Sequence, residues 1–396
     1  MKRVFVQNKE KLTPVNFFSL KKSFFTENLQ SLRFQRIKMS VHTKIFCLFA
    51  FLFIAICNSV FAQEKFSFIT GSCAYLDRSK EDVNGTMYDG DTSIFYTMSR
   101  TKANFMLWLG DNWYLSKDET QTAAGLWQKA VSQRNSPSLQ RIAQNMNEYA
   151  IWDDHDFGDN DSYKNFPLKN MSRNIFINMW KFNPSYGLYN YGIYTSFHYK
   201  NVLFVLLDDR WWRDRDKKKS YVGKLFPFSK GRPNPNKRML GEQQMHWLKR
   251  LLITDSSDFK IIVNGSQMLN PIAKRDCMVH FPIEYNDLLS FIETEQIKGV
   301  LFLSGDRHFS EITKVNRTNN YPLYDITSST LSAQTDHPRG KEVKSPYRVP
   351  GSLTLVNNFA AFSFDDNAAN RKLTVTFHNN KGWILYRWSV TTNELR

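Results

Sequence analysis

Five apolar segments of this chain each stop at a short polar loop, and this repeated arrangement most restricts the possible folds. The loops are GSC (71–73), GDNWY (110–114), WDDHD (152–156), NGSQ (264–267) and SGDRH (304–308). Short, nearly continuous apolar runs are typical of strands that are buried on both faces of a sheet. Loops at the C-terminal ends of such strands are where α/β sheets place ligand sites. The sequence therefore predicts one α/β domain in which the five loops converge.

The most acidic of these loops lies in the stretch AIWDDHDFGDNDS at residues 150–162. Three aspartates and a histidine occupy positions 153–156, and Asn160 follows closely. Like charges at this density repel one another unless a cation gathers them. Carboxylate, imidazole and amide groups are also the ligands that hard or borderline metal ions take. The stretch therefore predicts a metal site, although taken alone it also fits an acidic surface turn with a helix cap.

The N-terminal part of the chain differs from the rest. Residues 1–38 are basic and lack a sustained period, whereas Met39 opens a segment that leads into an uninterrupted apolar run at 45–57. This is the pattern of a secretory signal peptide, and the run is shorter than the roughly 20 residues of a membrane span. An N-terminal membrane anchor is the alternative. We predict a non-native upstream extension at 1–38, a signal peptide at 39–62 and a secreted or periplasmic domain at 63–396.

The charge of the predicted exported part is moderately positive. Of 53 basic and 37 acidic residues, ten and two lie in residues 1–62, which leaves a net charge of +8. Such a balance suits anionic substrates or surfaces, and the chain carries no nucleic-acid-binding motif. The exported part keeps Cys73 and Cys277. In an exported protein the two form a disulfide, unless Cys73 is a metal ligand.

The motifs GSC, LGDNWY, WDDHDFGDND and SGDRHFSE resemble those of the PhoD-like alkaline phosphatase and phosphodiesterase family, within the calcineurin-like metallophosphoesterase superfamily. The resemblance implies a four-layer αββα sandwich with metal ions at the C-terminal strand ends. It also implies a secreted hydrolase of phosphomonoesters or phosphodiesters with Fe³⁺ beside Ca²⁺. In enzymes of this class two ions orient and activate a hydroxide for in-line attack on phosphorus.

The resemblance implies a role for residues in three of the loops. Asp111 matches the carboxylate that bridges the two ions. Cys73 and Tyr114 match the thiolate and phenolate ligands of ferric iron, although each also fits a buried packing residue. Asp306 and His308 match the pair that completes the ligand set.

The acidic loop matches the second metal position and the proton donor. Asp154 corresponds to a ligand of the second ion, with Asn160 as a further candidate through its amide oxygen. His155 corresponds to the histidine that contacts the phosphate and protonates the leaving oxygen, which an imidazole can do near neutral pH. Asp156 would then hold the tautomer of that ring.

Two arginines and two departures from the superfamily pattern complete the expected site. Arg210 and Arg307 are candidates to bind a phosphate oxygen, because guanidinium matches phosphate bidentately, and each equally fits a salt bridge. Ser72-Cys73 replaces the usual Asp-x-His of the first strand, and Gln267 stands where many relatives outside this branch have His. Fewer histidines mean a harder, oxygen-rich site, which suits calcium beside iron.

Two other functions remain open from the sequence. One is a phospholipase D-like hydrolysis of lipid headgroups, which the positive charge and the aromatic content permit. The other is a metal-binding protein that has kept this fold without catalysis. We expect a small-molecule or lipid phosphoester as the partner, a monomer, and no membrane span in the exported part.

Overall fold

The computed structural model describes residues 65–76, 92–180, 191–215, 236–274, 276–367 and 369–396. The predicted extension at 1–38 and the predicted signal peptide at 39–62 lie outside the described residues and stay predictions. The strands are β1 Phe66–Gly71, β2 Phe105–Leu109, β3 Asn147–Ile151, β4 Thr195–Tyr199, β5 Val202–Leu206, β6 Phe259–Asn264, β7 Val300–Ser304, β8 Glu311–Arg317, β9 Asn320–Thr327, β10 Asn358–Phe364, β11 Lys372–Asn379 and β12 Ile384–Thr391. The α-helices are α1 Ser93–Arg100, α2 Ala123–Arg134, α3 Pro137–Asn145, α4 Asp154–Phe157, α5 Lys169–Met179, α6 Gly241–Thr254 and α7 Pro282–Thr294.

The strands form two six-stranded sheets. The first has the order β12-β11-β10-β1-β2-β3, and the second has the order β4-β5-β6-β7-β9-β8. β1, β2 and β3 run parallel, as do β5, β6, β7 and β9, so within each group the C-terminal ends lie at one edge. The five polar loops of the sequence follow β1, β2, β3, β6 and β7 at those edges.

Aromatic side chains join the two sheets face to face. The ring of Phe204 on β5 lies 5.3 Å from that of Phe68 on β1 and 5.5 Å from that of Phe105 on β2. Each contact is edge to face, the geometry that aromatic pairs prefer. Both β2 and β5 are buried along their whole length, which explains their unbroken apolar sequences.

Helices cover the outer faces of the sheets. Phe95 of α1 packs against Trp108 of β2 with ring centroids 6.4 Å apart, and Leu248 of α6 and Leu288 of α7 belong to the same buried core. Helix, sheet, sheet and helix follow in layers, which confirms the predicted α/β sandwich. None of the helices in the described part of the chain has the length and apolar character needed to cross a bilayer.

Candidate metal centre

The loops that follow the strands bend sharply at the predicted ligands. Cys73, Asp111, Asp306 and His308 have φ angles of 59°, 51°, 69° and 57°, the left-handed region that non-glycine residues rarely adopt. Residues held in this region cluster at functional sites, where the surrounding structure enforces them. Gly110 precedes Asp111. Glycine is needed at this position because a Cβ would lie 2.6 Å from the Cβ of Asp153. The backbone is therefore strained at the positions where the motifs predict metal ligands.

The first group of candidate ligands joins the loops after β1, β2 and β7. One ligand atom from each of Cys73, Asp111 and His308 lies within 4.8 Å of the others. The Cys73 thiol donates to Asp111 Oδ2 at 3.5 Å. The Tyr114 hydroxyl lies 3.2 Å from that same oxygen and 3.3 Å from His308 Nε2. A thiol, a phenol, a carboxyl group and an imidazole thus lie within hydrogen-bond distance of one another in a chain of contacts.

The second group joins the loop after β2 with the acidic loop after β3. Asp111, Asp154 and His155 each bring one ligand atom within 4.8 Å of the others. The backbone N–H of His155 donates to Asp154 Oδ1 at 3.0 Å and to Asp111 Oδ1 at 3.4 Å. Asp111 therefore belongs to both groups, with Oδ2 directed to the first and Oδ1 to the second. A carboxylate in this position has the geometry to bridge two cations.

Asp156 connects the acidic loop to the loop after β2. Its carboxylate accepts the Asp153 N–H at the start of α4 and the Asn112 N–H, each at 2.9 Å. The acidic stretch thus caps α4, as the alternative interpretation expects, but residues 153–156 are buried and do not form a surface turn. The predicted bond from Asp156 to the His155 ring stays a prediction.

The electrostatics of the pocket favour a bound cation. Burial, together with the neighbouring acidic groups of Cys73 and Asp154, raises the pKa of Asp111 well above its usual value. Burial and the nearby carboxylates likewise raise the pKa of Asp306 to about 7, and burial raises the pKa of the Cys73 thiol to about 11. Buried acids that repel one another in this way are stabilised by a cation. The sulfur, oxygen and nitrogen donors present fit a transition metal, and the carboxylates around Asp154 fit a harder ion.

Asp154 differs from its neighbours in its electrostatic surroundings. Burial opposes its charge, but the charges of His155 and Arg210 and the Asp161 N–H outweigh burial and lower the pKa of Asp154. The Asp161 N–H donates to Asp154 Oδ2 at 2.6 Å. Asp154 is therefore ionised and positioned, which suits a ligand of the second cation. Asn160 lies half-buried in the same loop, and its role as a ligand stays a prediction.

Both candidate phosphate-binding arginines lie in buried ion pairs. Arg210 is fully buried and pairs with Asp153, and its Nη2 lies 3.2 Å from an oxygen of Asp276. Arg307 pairs with Glu342 at 2.9 Å. These contacts correspond to the alternative in which each arginine forms a salt bridge, and both salt bridges lie in the protein interior. Phosphate binding by either arginine stays a prediction.

The cysteines and one serine refine the expected site. Cys73 and Cys277 are both buried free thiols, so the disulfide alternative is wrong. Ser329, which the motifs do not include, lies with its Oγ 3.2 Å from Cys73 Sγ and accepts the His308 N–H at 2.9 Å. It belongs to the polar run after β9, which is a further strand end beside β7. The sequence signal that could have identified Ser329 is this run, SST at 328–330, directly after a strand.

Comparisons with known proteins find relatives among phosphatases. The family model for PhoD-like phosphatases matches residues 68–381. Alkaline phosphatase D of Bacillus subtilis (strain 168) is 28% identical over 127 residues, which are 30% of this chain and 21% of that protein. This chain thus matches only about a fifth of that relative's length.

Two solved structures share the fold. The structure of PhoD has a TM-score of 0.60 and 16% identity, covering 84% of this chain and 71% of that one. A purple acid phosphatase from yellow lupin (Lupinus luteus) seeds has a TM-score of 0.51 and 11% identity, covering 84% of this chain and 54% of that one. At these identities the likeness concerns the fold alone.

Proposed function

The chain belongs to the PhoD-like phosphatase family, and we propose that it is a secreted, metal-dependent hydrolase of phosphomonoesters or phosphodiesters. The observation that carries the proposal is the position of Asp111, whose two oxygens face two different groups of candidate ligands. A shared carboxylate is what a pair of cations needs to act together on one phosphate. The secreted location rests on the signal-peptide pattern in the sequence.

We assign the ligands to two positions. Cys73, Tyr114 and His308 would hold one ion with Asp111, and their thiolate and phenolate donors suit Fe³⁺. Asp306, beside His308, would complete that set. Asp154 and Asn160 offer oxygen donors to a second ion, for which Ca²⁺ is suitable. When bound, such a pair supplies Lewis acidity and lowers the pKa of a water molecule.

The protein itself supplies orientation and a proton. The His155 ring packs against Tyr114 with centroids 4.2 Å apart, so the first group of ligands sets the position of the imidazole. Its backbone N–H, bonded to Asp154 and Asp111, fixes the residue at the junction of the two groups. We propose that this imidazole donates a proton to the leaving oxygen, a task suited to a group that titrates near neutral pH.

The proposal is tested by Asp111→Asn. Asparagine has nearly the same shape but cannot bridge two cations as an anion, so we expect the loss of nearly all turnover with circular dichroism unchanged. The assay compares a chromogenic phosphomonoester, a chromogenic phosphodiester and phosphatidylcholine. Asp255→Asn serves as the matched control, because Asp255 lies at the opposite end of β6, where it pairs with His198. A variant at Asp111 that keeps most of its activity would contradict the proposal.

Metal content provides an independent measurement. We expect iron and calcium by elemental analysis, together with visible absorption from thiolate or phenolate bound to ferric iron. If the metals are present and none of the three phosphoesters is hydrolysed, the protein is a metal-binding member of the fold without catalysis. If phosphatidylcholine is the preferred substrate, the phospholipase D-like function is supported.

A further inference from the structure

Two segments that adjoin strands of the first sheet reach the same end of the molecule as the metal centre. β1 runs toward that centre, and β10 pairs with it antiparallel. The register of β11 then places Asn379 beside Asn358, and Ile384 of β12 pairs with His378 at the same end. The hairpin between β11 and β12 and the segment before β10 therefore both reach the metal-site end.

These segments expose large apolar side chains. In the described part of the chain, six of the twelve exposed large hydrophobic residues lie within 343–356 and 383–385. We call these six the apolar rim: Val343 (55% exposed), Leu355 (44%), Val356 (50%), Trp383 (65%), Ile384 (49%) and Leu385 (40%). Exposed apolar residues are ordinary when scattered, whereas a concentration at one end of a molecule marks a binding surface.

Specific contacts connect the apolar rim to the metal centre. Asn357, next to Val356, donates from Nδ2 to the Ala333 carbonyl at 2.9 Å. Ala333 packs in the buried cluster that contains Cys73 and Tyr114. Farther out, the Tyr386 hydroxyl on β12 donates to the Pro350 carbonyl at 3.1 Å. The segment before β10 thus runs from the first group of ligands to the edge strand that carries the hairpin.

The charge of these segments has one sign at the surface. Residues 337–358 contain a single acid, Glu342, which is buried in its pair with Arg307, and residues 379–389 contain none. The exposed cations are Lys341, Lys344, Lys381, Arg387 and Arg339, which pairs with Asp336 just before the first of these segments. The ammonium of Lys381 lies 5.2 Å from the centroid of the Trp383 ring.

We infer that the apolar rim docks the protein on an anionic lipid bilayer. A tryptophan at a hairpin tip, flanked by aliphatic side chains and cations, has the composition that enters the headgroup region of a membrane. Lysine and arginine stems lie along apolar surface while their charges meet anionic headgroups. The surface would hold the mouth of the metal site against the bilayer and so present phosphodiesters of lipid headgroups to it.

A second copy of this chain is a less suitable occupant of the apolar rim. In symmetric antiparallel pairing of two β12 edge strands, the register centred on Arg387 would place this cation directly opposite its own copy. Like charges across a pair of strands are destabilising. The charge therefore favours an anionic surface over self-association.

Cosedimentation with vesicles tests the inference without requiring turnover, so its outcome is separate from that of the proposed function. The full chain purified after secretion is mixed with vesicles of phosphatidylglycerol and phosphatidylcholine, or of phosphatidylcholine alone. We expect binding to the anionic vesicles to weaken about tenfold or more in Trp383→Ser/Ile384→Ser, which removes the inserted apolar surface. Lys381→Gln should weaken it roughly fivefold, since each basic residue near the surface adds attraction.

The matched control is Ile253→Ser, because Ile253 is 52% exposed at the end of α6, beside the start of β6 and away from the metal centre. It should bind vesicles as the parent protein does, and all variants should hydrolyse a soluble chromogenic phosphodiester at the parent rate. Equal binding to neutral and anionic vesicles, or an equal loss in the Ile253 variant, would overturn the inference. So would a dimer in sedimentation equilibrium that only the Trp383 and Ile384 substitutions dissociate, with vesicle binding unchanged.

Discussion

Replacing Glu342 with glutamine is expected to lower the free energy of unfolding by about 3–5 kcal/mol, because it leaves a buried guanidinium without its carboxylate. Arg307 Nη2 and Glu342 Oε1 are 2.9 Å apart, and each side chain is 2% exposed. At this separation and an effective dielectric constant of about 20, the attraction is about 6 kcal/mol. The easier desolvation of a neutral glutamine offsets part of that loss.

Urea denaturation of the variant and the parent protein measures the difference, provided that both transitions have the same slope. Glu242→Gln is the control. Glu242 and Arg238 are also 2.9 Å apart, but their side chains are 71% and 35% exposed. An exposed pair of this kind contributes only about 0.5 kcal/mol. Variants at Glu342 and Glu242 that differ by less than about 1 kcal/mol would refute the reasoning from burial.

The same pair distinguishes two roles for Arg307. This arginine stands between Asp306 and His308, and it also contacts Gln267 at the end of β6. If its function is to hold the strand-end loop, the Glu342 variant should lose stability and bind metal more weakly. If it also binds substrate phosphate, Arg307→Lys should raise KM in addition to its cost in stability, because lysine cannot keep the contacts of the guanidinium with both Glu342 and Gln267.

Two further predictions concern the metal centre. His155→Gln should lower turnover of a diester with an alkoxide leaving group by about 10²–10⁴-fold, and should affect a p-nitrophenolate leaving group much less, because the latter needs little protonation; equal losses on both substrates would argue against a proton donor. Burial raises the pKa of Cys73 to about 11, so below that pH the metal-free thiol keeps its proton. Metal binding must release this proton and should strengthen as pH rises, and an indicator dye should record about one proton fewer for Cys73→Ser; equal release would show that this sulfur is not a ligand.

Much of the fold and of the ligand set follows from local sequence pattern. The apolar runs of β2, β5 and β7 appear as strands because strands buried on both faces need unbroken apolar sequence. The Ser136-Pro137 pair separates α2 from α3, with Ser136 capping α3 and Pro137 in its first turn, where a missing N–H costs nothing. The motifs at the strand ends also indicated the family, which the match over residues 68–381 confirms.

Other features depend on contacts between distant parts of the chain. Ser329 and Cys73 are 256 positions apart and meet only because β9 and β1 deliver their loops to the same place. The burial of Arg210 and Arg307 follows from partners on other loops, whereas in sequence each looks like an available cation. Residue type and strand periodicity are local properties, so they can be determined from the sequence. The contact of the two Asp111 oxygens with two different ligand groups depends on distances between loops, and these distances are set only when the two sheets pack.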